Sequence, residues 1–183
     1  TMFIIINAIL GISIYLTLCT GQLSLGNAGF FSIGAYASAL LTLKAGLPIF
    51  ASIPLGGLAA CFTALVIGLP TTRLQGIYLA IATLGFGEVV RVVILNLKIT
   101  NGALGLSGIP SIGVMFGKLL AGFGVGSGLF GLTLQQLGNI AVILLLLSIL
   151  AFLVFFTLRL GNSRIGRAFA AIKADEHAAE VSG

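Results

Sequence analysis

Residues 138–158 read GNIAVILLLLSILAFLVFFTL, a run without a single charged side chain. A helix rises about 1.5 Å per residue, so this stretch reaches about 30 Å, the thickness of a bilayer's hydrocarbon core. The rest of the chain has the same character. It is 58% hydrophobic and 7% charged, with a mean hydropathy of +1.22. Soluble domains carry about 25% charged residues. So few charges cannot cover a water-exposed surface, and the composition excludes an ordinary soluble fold.

Upstream of that run, no charge occurs before Lys44. Forty-three residues make about 65 Å of helix, enough for two crossings, and the break belongs at Thr20-Gly21-Gln22. The expected spans lie near 2–19, 24–43, 49–70, 74–97 and 138–158. Lys44, Gly46 and Pro48 supply the second turn, and Pro70-Thr71-Thr72-Arg73 the third. Segment 98–137 interrupts the pattern with Gly102, Gly105, Gly108 and Pro110, then Gly122, Gly124, Gly126, Gly128 and Gly131. It reads as a long loop with an apolar middle, re-entrant or lying on the surface. The expected fold is therefore an all-α, polytopic transmembrane bundle of about five spans.

Seven charged residues fall in the last 25 positions, as does the sole histidine, His177. The tail lives in water. With five crossings, Arg73, Arg159, Arg164, Arg167 and Lys173 share one side, against Lys44, Lys98 and Lys118 on the other. The positive-inside bias puts the tail in the cytoplasm and loop 98–137 outside. Thr1 would then also lie outside, which suggests a missing upstream helix. The net charge of +5 is explained by this topology, and no basic patch with interleaved aromatics points to nucleic acid.

Small residues allow helices to approach closely in lipid. Gly56, Ala60, Ala64 and Gly68 recur every fourth position on the third span, and Gly34, Ser38 and Thr42 on the second. The fourth span carries Glu88 and Arg91 at i, i+3, close enough on one face to pair. Membrane charges are costly and usually point inward. The pair, with Thr83 on much the same face, is a candidate pathway or gate. The plainer reading is an internal ion pair that fixes packing, or an Arg91 that snorkels.

Enzyme chemistry has little to build on: one histidine, four acids and no tryptophan. Cys19 and Cys61 sit in apolar runs without metal-ligand spacing, so no metal or cofactor is expected. Gly126-Ser127-Gly128-Leu129-Phe130-Gly131 fits GxGxxG, but follows no expected strand and lacks the downstream acid of a dinucleotide site. There is no phosphate-binding GxxxxGK[ST] run. Transport driven by ATP would need an ATPase on another subunit.

Residues 159–183 form a separate segment. Asn162-Ser163 can cap a helix. Ile165, Phe169 and Ile172 repeat at helical spacing, flanked by Arg164, Arg167 and Lys173. Such a short stripe suits a partner's groove better than a lipid surface.

Here the chain resembles the permeases of branched-chain amino-acid ABC importers, specifically their LivM-type subunit. The family's coupling loop runs G-R-A-x-x-A-I-[RK]-x-[DE]-E-x-A-A-x-x-x-G. This chain has Gly166-Arg167-Ala168, Ala171-Ile172-Lys173, Asp175-Glu176, Ala178-Ala179 and Gly183. GQLSLGNAGFFSIGAYASA at 21–39, LQGIYLAIATL at 74–84 with Glu88 and Arg91, and NGALGLSGIP at 101–110 resemble three more signatures in the family's order. One departure is His177, where ABC permeases generally place the acid before Ala-Ala. The family also continues past this loop, so the chain resembles a fragment lacking both ends.

The resemblance implies a bacterial or archaeal plasma-membrane permease that hydrolyses no ATP itself. Its implied partners are cytoplasmic ABC ATPase subunits, a second homologous permease subunit and an extracytoplasmic solute-binding protein. The coupling residues it implies are Arg164, Gly166, Arg167, Phe169, Ile172, Asp175, Glu176, Ala178, Ala179 and Gly183. Branched-chain amino acids are the leading solute, with urea, amides and other amino acids carried by relatives. An ion-coupled secondary transporter or channel using Glu88, and an accessory membrane subunit, remain the alternatives from other classes.

Overall fold

The computed structural model describes residues 2–71, 74, 76–122 and 133–174. Among these described residues seven α-helices follow one another: α1 Met2–Cys19, α2 Asn27–Lys44, α3 Ile49–Thr71, α4 Ile77–Asn96, α5 Ile112–Gly122, α6 Leu134–Gly161 and α7 Arg164–Ala174. Among the described residues there is no strand. Four of these described helices, α1, α3, α4 and α6, are long and apolar enough to cross a membrane. α2 is as long as α1 but exchanges aliphatic residues for Gly29, Ser32, Gly34, Ser38 and Thr42, and it ends on Lys44. The fold is an all-α, multi-pass membrane bundle.

The burial pattern fits lipid as solvent. Phe3, Leu58, Phe62, Tyr78, Phe152 and Leu158 all point outward, each more than 60% exposed. The short buried set includes Ile5, Ile49, Leu79, Val90 and Val142, with Ser52, Thr83 and Thr100 among them. In water this surface would be an aggregation site, whereas in hydrocarbon it costs nothing.

Contacts between helices set their directions. Gly34 meets Gly56 and Ala60, and Ser38 meets Gly56, so α2 and α3 are antiparallel. A Cβ at Gly56 would lie 2.5 Å from the Gly34 carbonyl oxygen and 2.8 Å from Ser38 Cβ. Only glycine lets the two backbones touch there. α2 and α4 run in parallel, because Gly26 meets Thr83 and Gly29 meets Gly87. Phe30 and Phe86 pack beside that crossing with ring centroids 4.9 Å apart and planes tilted by 39°. The C-terminal turns of α1 and α6 lie together, Tyr15 and Cys19 near Thr157, Leu160 and Gly161.

Segment 98–137, read from its glycines as one loop, holds 3-10 turns and a helix among its described residues; Gly124, Gly126, Gly128 and Gly131, with the GxGxxG run, lie outside the described residues. Residues 98–104 form a pair of 3-10 turns with the buried Thr100 hydroxyl donating to the carbonyls of Ile94 and Leu97. Asn101, Gly102, Gly105 and Gly108 all have φ between 58° and 86°, the left-handed region that glycine and asparagine favour. That explains the spacing of NGALGLSGIP. α5 then begins, with the Ser111 carbonyl accepting from Val114 and Met115 N–H. Its glycines are not turn residues: Gly113 and Gly117 bury against Gly138 of α6, where no Cβ fits. α6 starts at Leu134, earlier than the expected 138, because Thr133 and Gln136 form a capping box.

Candidate functional site

The first candidate is α7 and what holds it. Asn162 ends α6, and Ser163 starts α7: its Oγ accepts from Gly166 N–H at 3.1 Å and donates to the Leu160 carbonyl at 2.6 Å. Gly166 packs so tightly on α6 that a Cβ would strike the carbonyls of Leu160 and Gly161. Gly21, at φ +79° in the turn after α1, lies against Lys173. α7 therefore touches both α1 and α6.

A cleft of about 250 Å³ separates α7 from those helices. Gly166, Phe169, Ala170 and Lys173 line it from α7, facing Tyr15 and Leu160. The expected apolar stripe is thereby split. Phe169 turns toward the bundle, whereas Ile165 and Ile172 stay exposed at 57% and 40%. Arg164 and Arg167 flank them, both exposed. Asp175, Glu176, Ala178, Ala179 and Gly183 lie outside the described residues.

The second candidate is a groove of about 600 Å³ between α2 and α4. Glu88 and Arg91 share it with Ser32 and Tyr36, and Leu25, Leu84, Ile94 and Leu95 supply apolar wall. Arg91 Nη1 donates to Glu88 Oε1 at 2.8 Å. Glu88 lies close to the midpoint of α4, about 16 Å along its axis from Ile77. Thr83 does not join them. It is buried, accepts from Leu25 N–H at 3.0 Å, and donates to the Leu79 carbonyl at 2.8 Å. It ties α4 to the extended segment before α2.

The small-residue ladder of α3 divides as well. Gly56 and Ala60 face α2, whereas a Cβ at Gly68 would meet open space. Ala64, between them, is half-buried. The closest glycine crossing, Gly113 and Gly117 against Gly138, was missed in the sequence although Gly113-x-x-x-Gly117 is a small-xxx-small signal. Among the described residues no three of His, Cys, Asp and Glu come together, and Cys19 and Cys61 are free thiols.

The family model described as "Branched-chain amino acid transport system / permease component" matches residues 1–183. The chain belongs to this permease family. It is 38% identical over 185 residues to "High-affinity branched-chain amino acid transport system permease protein LivM" of Escherichia coli (strain K12). The protein of that name from Salmonella typhimurium (strain LT2) is also 38% identical. Each alignment covers 97% of this chain and 42% of the relative, so the permease chain spans about two fifths of the length of these curated relatives. No solved structure matches it. For a permease-family chain, the two candidates fall at informative places: one at the C-terminal end of the long apolar helix α6, the other near the middle of α4.

Proposed function

We propose that the chain belongs to the translocation subunit of an ATP-binding-cassette importer in a prokaryotic plasma membrane, with branched-chain amino acids as solute. α7 is the element that a cytoplasmic ATPase grips. A second permease subunit completes the pathway, an extracytoplasmic binding protein delivers solute on the side of loop 98–110, and the ATPase supplies the hydrolysis. The α7 end is then cytoplasmic, in line with the basic residues gathered there.

The observation that carries this reading is the division of labour around α7. One side is fixed to the bundle through Gly166 and Phe169, and the side next to it leaves Ile165 and Ile172 exposed, with Arg164 and Arg167 exposed beyond them. A helix fixed along one side, with exposed apolar residues on the side next to it, suits insertion into a partner's cleft. It also transmits force. Displacement of α7 presses on α1 through the Gly21–Lys173 contact and on α6 through Gly166. Ile165 and Ile172 are therefore the docking anchors, and Phe169 is the seat. In the full-length protein, Ile172→Asp should abolish co-purification of the ATPase while membrane insertion persists. Undiminished co-purification would remove α7 as the coupling element.

A further inference from the structure

The groove between α2 and α4 holds polar groups that packing does not use. Arg91 has five N–H donors and applies one to Glu88, through a single contact at 2.8 Å. Among the described residues, Glu88 Oε2, the remaining Arg91 donors and the Tyr36 hydroxyl have no hydrogen-bond partner. The Arg91 and Glu88 side chains are 68% and 57% exposed, so both can leave each other without disturbing the helix. Ser32 donates to the Ala28 carbonyl and keeps its oxygen free to accept. The rest of the lining is largely apolar.

We propose that this groove is a subsite for a zwitterionic α-amino acid, with its ammonium on Glu88, its carboxylate on Arg91 and its side chain among Leu84, Ile94 and Leu95. The proposal rests on the importer reading and adds to it the place in the span where the solute pauses. The volume, about 600 Å³, lies in the range of small-molecule sites. Charge supplies the sharper argument. A site holding one carboxylate and one guanidinium is neutral, and so is the ligand. Inserting the zwitterion between the two replaces one ion pair by two and brings no net charge into the membrane. A ligand lacking either head-group charge would leave one protein charge without a partner, which is costly away from water. The site therefore selects amino acids over the corresponding amines and carboxylic acids, and its apolar wall favours aliphatic side chains.

The test uses the full-length permease, assembled with its partner subunits in proteoliposomes. Cys19→Ala and Cys61→Ala, together with replacement of any cysteines elsewhere in the assembly, remove the native thiols, and Ser32→Cys places a reporter on the groove wall. Ala28→Cys serves as a second reporter should the first fail to assemble. Leucine at about four times its Kd should slow maleimide labelling roughly fivefold. Neither 4-methylpentanoate nor 3-methylbutylamine should slow it at the same concentration. Glu88→Gln and Arg91→Gln should each abolish protection. The assignment is overturned by the absence of protection by leucine, by equal protection from either analogue, or by protection that survives both substitutions. ATP hydrolysis stimulated by the binding protein is measured in parallel on the Cys19→Ala, Cys61→Ala parent. If stimulation persists while protection fails, the subsite is refuted and the importer reading stands.

Discussion

α2 meets a neighbour on each flank, and the two contacts differ in kind. Against α3 it presents Gly34 and Ser38 to Gly56 and Ala60, and the backbones nearly touch. Against α4 the touch is confined to one end, at Gly26 and Gly29, before the helices part around Ser32, Tyr36, Glu88 and Arg91. In lipid, association depends on close van der Waals contact, and the supply of small residues decides how far two helices can remain in register. On the α3 side that supply is continuous over the crossing. On the α4 side it ends after Gly87, and polar groups begin. One flank is a seal and the other an opening.

The severest way to break that contrast is to damage the seal. Gly56→Leu would place carbon where the Gly34 carbonyl and Ser38 now sit. Overpacking of this kind costs about 3 kcal/mol or more. The full-length variant should be lost from membranes or elute as aggregate, read by size-exclusion chromatography in detergent. A monodisperse product at parental yield would show that the close approach of α2 and α3 is dispensable.

The opening can be tested with charge. Glu88→Met leaves Arg91 without its partner near mid-span, at a cost of about 2–3 kcal/mol. Glu88→Met with Arg91→Met removes both charges and should recover most of the lost thermal stability. If the double variant is as unstable as the single one, the pair holds the bundle together and the groove is structural. Recovery of stability together with loss of leucine protection would assign the pair to the solute.

The contrast was only half legible in the sequence. Long apolar runs imply helices because hydrocarbon leaves the backbone no partner outside its own segment, and α1, α3, α4 and α6 followed from that alone. Glycine was harder to read. In NGALGLSGIP it serves positive φ; at Gly113 and Gly117 it serves close packing, and α5 was hidden because both uses look alike in a chain with 26 glycines. Helical spacing placed Ile165, Phe169 and Ile172 on one stripe. It could not show that α1 and α6 lie on one edge of α7 and draw Phe169 away from the isoleucines. Thr83 stood near Glu88 in register, but its hydroxyl was committed to Leu25, a residue 58 positions earlier.

That commitment gives a milder test at the edge of the opening. Thr83→Val keeps the shape and deletes the acceptor of Leu25 N–H. The expected loss is about 1 kcal/mol, visible as a shift of a few degrees in thermal unfolding of the assembled importer. Leucine protection at Ser32→Cys should persist, because Thr83 does not line the groove. Loss of protection in this variant would move Thr83 from the scaffold into the solute site.

The smallest effect is expected where the α3 ladder ceases to be a seal. Gly68 shares the four-residue spacing of Gly56, yet a Cβ there would meet nothing within 4 Å. It lies inside α3, where alanine is the better helix former by about 1 kcal/mol in water. Membrane helices already satisfy their backbone internally, so the gain should be smaller, about 0.5 kcal/mol or less. Gly68→Ala should therefore unfold at or slightly above the parental temperature, in contrast to the collapse expected at Gly56. A marked loss at Gly68 would mean that another surface, from the second permease subunit or from elsewhere in the full-length protein, closes on α3 at that height. The seal would then extend along the whole ladder, and the difference between the flanks of α2 would lie in which partner covers the remainder.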